Sequence, residues 1–268
     1  MPARYPERIV CLTEETTETL YLLGEERRIV GISGYTVRPP RARREKPRVS
    51  AFLSAKTDKI LALRPDLVIG FSDLQADIAR DLAKAGLNVL IFNQRSVDEI
   101  LSMILTLASL IGASAKGERL VAELEAGLAA IRAAAARFER RPRVYFEEWD
   151  EPMISGIGWV SELIGIAGGA DIFPERARSH AAAGRTVADP QEVVRARPDV
   201  ILGSWCGKKF RPERVAARPG WQDVPAVRDG ELHEIKSADI LQPGPAALTD
   251  GVRRMHAIFG DWSTRAPQ

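Results

Sequence analysis

Apolar and polar positions run through this chain in the same order twice. Ile60, Leu61 and Leu63 form an apolar helical face that stops at Arg64-Pro65, and Leu67-Val68-Ile69-Gly70 follows at once. Val193, Val194 and Ala196 stop in the same way at Arg197-Pro198 and lead into Val200-Ile201-Leu202-Gly203. Proline turns the residue before it away from helix. The short β-branched run behind it reads as a buried strand of a parallel sheet. Both strands close on glycine and then a polar-aromatic pair, Phe71-Ser72 and Ser204-Trp205, at the edge where open α/β sheets hold their ligands. A weaker echo pairs Glu18–Gly24 with Glu162–Gly168. Strand-like Arg8–Leu12 and Arg143–Phe146 open the two halves, each followed by polar residues and a helix. Strand and helix thus alternate, which predicts an α/β fold of two similar lobes with central parallel sheets and a ligand cleft between them.

Between the halves the pattern turns helical from Val97, breaks near Gly112 and continues to about Phe138, with Leu120, Leu124, Leu128 and Ile131 as its stripe. A helix of that length spans about 30 Å and acts as a rigid strut. The predicted organisation is an N-terminal lobe at 1–112, a connecting helix at 113–139 and a C-terminal lobe at 140–268.

Composition adds exclusions. With 45% hydrophobic and 28% charged residues over 268 positions, the chain can bury a core in each lobe. The basic run Arg38, Arg41, Arg43, Arg44, Lys46 and Arg48 is interrupted by three prolines and lacks interleaved aromatics, so it reads as a solvated loop and nucleic acid is not expected as a partner. No stretch is long and apolar enough to span a membrane. Met1–Pro6 carries no apolar leader segment. There is no nucleophile elbow, no phosphate-binding glycine loop and no histidine at catalytic spacing, so no enzyme and no catalytic cofactor are expected.

Taken in order, Arg8–Leu12, Thr17-Glu18, Gly31-Ile32-Ser33, Pro39-Pro40, Lys46–Val49, Asp58–Gly70, Gly168–Phe173 and Pro243-Gly244-Pro245 resemble the iron-siderophore and cobalamin type of ABC-transporter substrate-binding protein, with the cobalamin-binding branch the best match. The resemblance covers nearly the whole chain. It implies a class III periplasmic-binding-protein-like fold and a monomer that captures one bulky ligand for an ABC permease dimer. Cobalamin or a related corrinoid is the implied transported ligand. Ferric siderophore, haem, and a cytosolic ligand chaperone or sensor on the same fold are the alternatives. Localisation is periplasmic if a leader precedes this sequence and cytoplasmic if Met1 is the native start.

Candidate ligand-binding residues follow from chemistry and place. Tyr35, Phe52, Phe71, Trp149, Trp159 and Trp205 lie in loops or at strand ends, where rings grip a flat ligand. Phe52 stands where the resemblance places an aromatic ring against cobalamin. Members of that family usually carry small residues or proline after the first strand, whereas this chain has Thr13-Glu14-Glu15-Thr16, answered in the second half by Glu147-Glu148-Trp149-Asp150. Glu14, Glu15 and Glu148 either face a ligand that offers donors or positive charge, or, for the first pair, complement the helix dipole behind a Thr13 cap. Cys11 and Cys206 sit one per half at strand mouths, as ligand contacts or as small packed hydrophobes. His180, His233 and His256 show no ligand spacing, so no metal site is expected. Lys208 stands beyond the second strand, ready for an acidic ligand group or for solvent, and Gly203 and Gly207 allow close approach of the backbone. Transporting members carry an acidic residue near the start of the helix before each Arg-Pro strand, for permease arginines. Asp58 fits; in the second half Gln191 stands there and Glu192 follows, turned by about 100°.

Overall fold

A computed structural model describes residues 5–265. The chain divides into two compact units, one running through Gln94 and including Asp98–Leu124, the other formed by Arg95–Val97 and Glu125 onward. The division falls within a helix.

The first unit is built on a fully parallel sheet of β1 (Ile9–Cys11), β2 (Ile29–Ser33), β3 (Arg48–Ser50), β4 (Leu67–Phe71) and β5 (Val89–Phe92), in the order β3-β2-β1-β4-β5. Its crossovers carry α1 (Glu14–Leu22), α2 (Ala42–Glu45), α3 (Thr57–Ala62) and α4 (Ala76–Lys84). Val10, Leu12, Val49, Ile60, Val68 and Leu82 pack one face, and Ile9, Cys11, Leu20, Ile32, Ile69 and Leu107 pack the other, as a parallel sheet covered on both sides requires.

The second unit contains β6 (Arg143–Asp150), β7 (Met153–Ser155), β8 (Ala170–Asp171), β9 (Val200–Gly203) and β10 (Leu232–Glu234), ordered β10-β9-β6-β7 with β8 also on β6. Only the β6–β7 pair is antiparallel, and its register shifts between Glu147 and Trp149, leaving Glu148 as the extra residue. Trp149 therefore lies in a strand hairpin, one residue from the end of β6.

The repeated Arg-Pro-Asp phrase folds into the same clasp in each unit. Asp66 accepts the N–H groups of Glu7 and Arg8 at 2.8 and 3.0 Å, and Arg8 donates to the Leu63 and Arg64 carbonyls at 2.6 and 3.0 Å. Asp199 accepts the Arg143 N–H at 2.8 Å, and Arg143 donates to the Ala196 carbonyl at 3.0 Å. Arg64 and Arg197 both take the left-handed conformation, at φ 45° and 47°, which ends the helix and turns the chain into the strand. The weaker echo also holds, since Gly24 and Gly168 close their helices at φ 68° and 102°.

The helical stretch between the sheets forms α5 (Val97–Leu110) and α6 (Ser114–Ala135), broken at Gly112 with φ 74°. Ile100, Leu101, Ile104, Leu107 and Ala108 give α5 its buried stripe, while in α6 the stripe runs through Val121, Leu124 and Leu128. α7 (Gly158–Ala167) follows β7. The basic run is not wholly a loop: α2 lies within it, Arg38 pairs with Glu18 at 2.8 Å, and Arg41 lies 4.8 Å above the Tyr21 ring. Among the described residues no helix is long and apolar enough to cross a membrane.

Candidate ligand-binding faces

Strands β1 to β5 all point the same way, so the loops after them share one edge of the first sheet. Leu53 (68% exposed), Leu74 (59%) and Tyr35 (57%) project from the loops after β3, β4 and β2. Phe52 beside them is half-buried, and Phe71, the last residue of β4, is buried. One buried side chain braces these loops. Gln75 accepts the Phe71 N–H at 2.9 Å and donates to the Phe52 carbonyl at 2.9 Å. A Cβ on Gly70 would lie 2.5 Å from the Gln75 Oε1, so that glycine makes room for the brace.

At the same edge α1 starts with two buried carboxyls. Thr13 occupies the N-cap position, but its hydroxyl makes no cap hydrogen bond and donates to Glu15 Oε1 at 2.5 Å instead. Burial pushes the Glu14 carboxyl up to about 8, helped by Glu15 and opposed by the Val37 N–H and Arg43. Burial likewise raises Glu15 to about 7 against the Thr13 hydroxyl. The remaining oxygen of each carboxyl is buried without a hydrogen-bond partner. A carboxyl that prefers its proton near neutral pH can donate as well as accept.

In the second unit the answering glutamates have different fates. Glu147 is fully buried and receives Arg218 through both oxygens at 2.7 and 2.9 Å, the Trp205 indole N–H at 3.0 Å and the Tyr145 hydroxyl at 3.1 Å. That carboxylate is saturated and holds the core together. Glu148 is engaged by both terminal nitrogens of the buried Arg185, one of them at 3.2 Å. Lys208 pairs with Asp150 and places its ammonium 4.2 Å from the Trp149 ring centre and 5.2 Å from that of Trp205. Trp149, Lys208 and Asp150 thus form one cluster at the end of β6, with the lysine already committed.

Several expected contacts are placed elsewhere. Cys11 is fully buried in the first core, and burial pushes its thiol up to about 12, so it is a packed hydrophobe. Trp159 is a buried helical residue whose indole donates to the Ile240 carbonyl at 2.9 Å. Trp205 is buried against Phe210, ring centres 5.1 Å apart. A Cβ on Gly203 would lie 1.9 Å from the Phe210 ring, so this glycine admits a side chain and not a ligand. Cys206 is exposed. Asp58 is exposed in the first turn of α3, whereas Glu192 is held by Arg176 at 2.6 Å. Sequence reasoning missed Leu53 and Leu74, whose signal was an apolar residue in a polar break between strand and helix. It also missed Arg185 and Arg218, for which the sequence carries no local signal.

The profile of the periplasmic binding protein family matches residues 9–238. This chain belongs to that family. It is accordingly a substrate-binding protein of ABC transport and not an enzyme. The vitamin B12-binding protein of Vibrio cholerae is 29% identical over 257 residues, 90% of this chain and 85% of that protein. The ABC transporter substrate-binding lipoprotein YvrC of Bacillus subtilis is 24% identical over 266 residues, 96% and 81% of the two chains. Among solved structures, the periplasmic heme-binding protein RhuT from Roseiflexus sp. RS-1 superposes with a TM-score of 0.80 at 26% identity, covering 96% of this chain and 99% of its own. The periplasmic-binding-protein fold is thus shared with proteins named for different ligands.

Proposed function

We propose that this protein captures a corrinoid for delivery to an ABC permease, as a monomer outside the cytoplasmic membrane. The observation that carries this reading is the edge of the first sheet, where Tyr35, Leu53 and Leu74 expose apolar surface beside carboxyls that burial keeps near neutrality. Such a face suits a bulky ligand with an apolar body and an uncharged, hydrogen-bonding rim. The similarity to the vitamin B12-binding protein supports the same ligand class. Asp58 offers a carboxylate for permease contact.

Haem is the second reading. Tyr35 exposes a phenol, a group able to ligate haem iron, and RhuT is named for haem binding. Calorimetric titration with cobalamin, cobinamide, haem and a ferric siderophore separates the readings. Saturable binding of a corrinoid with no response to haem is expected. Binding of haem alone, with a Soret band that shifts in Tyr35→Phe, overturns the corrinoid reading in favour of haem.

A further inference from the structure

Four buried side-chain oxygens at one edge of the first sheet have no hydrogen-bond partner: Glu14 Oε2, Glu15 Oε2, Thr36 Oγ1 and Ser50 Oγ. They lie at or just after the ends of three adjacent strands, β1, β2 and β3. Backbone contacts tie them together. The Val37 N–H reaches Glu14, and the neighbouring Thr36 donates its own N–H to the Ser33 carbonyl at 3.2 Å. Ser33 is registered across from Ser50 at the end of β3. Thr36 is fully buried and the other three are at least nine-tenths buried.

Buried polar groups in folded proteins almost always find a partner. Four orphans along one sheet edge, two of them neutral hydroxyls, leave hydrogen-bonding capacity there that the protein itself does not satisfy. The surroundings specify the group that suits it. Arg38 is already paired with Glu18, and with Glu14 raised to about 8 and Glu15 to about 7 the pair retains protons near neutral pH. A carboxylate arm would face the Glu14 and Glu15 carboxyls, while Arg43, the cation that acts on Glu14, is exposed and weighs less there than burial, Glu15 or Glu18. An arm that both donates and accepts, and carries no charge, complements hydroxyls and protonated carboxyls together. In the second unit the answering glutamates are instead each held by an arginine, and the unpartnered hydroxyl there, Ser204 Oγ, has no unmatched glutamate oxygen beside it in the chain.

We propose that Glu14, Glu15, Thr36 and Ser50 seat a primary-amide arm of the ligand and thereby select an amide-bearing macrocycle over its carboxylate counterpart. The inference rests on the corrinoid reading above and adds the group recognised. It is tested on the full chain by calorimetry at pH 6.5 with cobinamide, whose ring arms are amides, and cobyrinic acid, whose arms are carboxylates. The wild type is expected to prefer cobinamide by about a hundredfold or more. Thr36→Val with Ser50→Ala removes two orphaned hydroxyls without changing charge, and should cut that preference at least tenfold through weaker cobinamide binding. Its ligand-free Tm should stay level or rise, since no existing hydrogen bond is lost. Ser50→Ala alone and Glu15→Gln provide the same comparison should the double variant fold poorly. An unaltered preference in these variants shows that the orphans hold water only, and overturns the inference while the corrinoid reading stands. Equal binding of both probes by the wild type does the same. Binding of neither corrinoid by the wild type overturns both.

Discussion

Replacing Glu15 by glutamine should remove a pH dependence from the stability of the ligand-free protein. The Glu15 carboxyl rises from an ordinary 4.5 to about 7 through burial, with Glu18 adding to the rise and the Thr13 hydroxyl opposing it. Glu14 beside it rises to about 8, with Glu15 and Glu18 raising it and the Val37 N–H and Arg43 lowering it. Both groups hold their protons more tightly folded than unfolded. Their contribution is therefore complete below about pH 4.5 and is lost as pH climbs through about 7 and about 8. At about 1.4 kcal/mol per pH unit, the Glu15 rise corresponds to roughly 2 to 3 kcal/mol lost between pH 5 and pH 9. The two carboxyls titrate as a coupled pair, so the Glu14 loss does not simply add. The assay is urea unfolding of the wild type and Glu15→Gln across that range, followed by far-UV circular dichroism. Tryptophan fluorescence serves as the internal control, because all five tryptophans fall at Trp149 or later, in the second unit. Glu15→Gln should gain on the wild type by roughly 2 to 3 kcal/mol as pH rises. Parallel pH profiles for the two proteins would refute the reasoning, as would a dependence seen only in the tryptophan signal.

Two further outcomes concern the second unit. Arg218→Met leaves Glu147 fully buried without its cation and should cost about 3 to 5 kcal/mol in urea unfolding, with Glu147→Gln in the same chain recovering part of the loss. Trp205→Ala removes a buried ring and the indole donor to Glu147, and should cost about 3 to 5 kcal/mol in the ligand-free protein. A weaker ligand affinity at unchanged stability would return Trp205 to the binding face that its position after β9 suggested.

Local chemistry determined much of this protein. Arg-Pro-Asp before a β-branched run makes the same helix stop, left-handed turn and strand at Arg64 and Arg197, because proline and the aspartate side chain act within a few residues of themselves or on the adjacent strand. The two-unit α/β plan and the break at Gly112 were readable for the same reason. The fates of the paired glutamates were not. Glu14-Glu15 and Glu147-Glu148 both follow or extend the first strand of a half, yet Arg218, 71 residues along the chain, saturates Glu147, while one oxygen each of Glu14 and Glu15 stays unmatched. Tyr35 and Trp205 divide likewise, one exposed and the other sealed by Phe210 in the space that Gly203 leaves. Which side chains become core and which remain as a face depends on partners brought from distant segments. Only the tertiary structure decides that, because the energy of a buried charge or ring lies in what surrounds it.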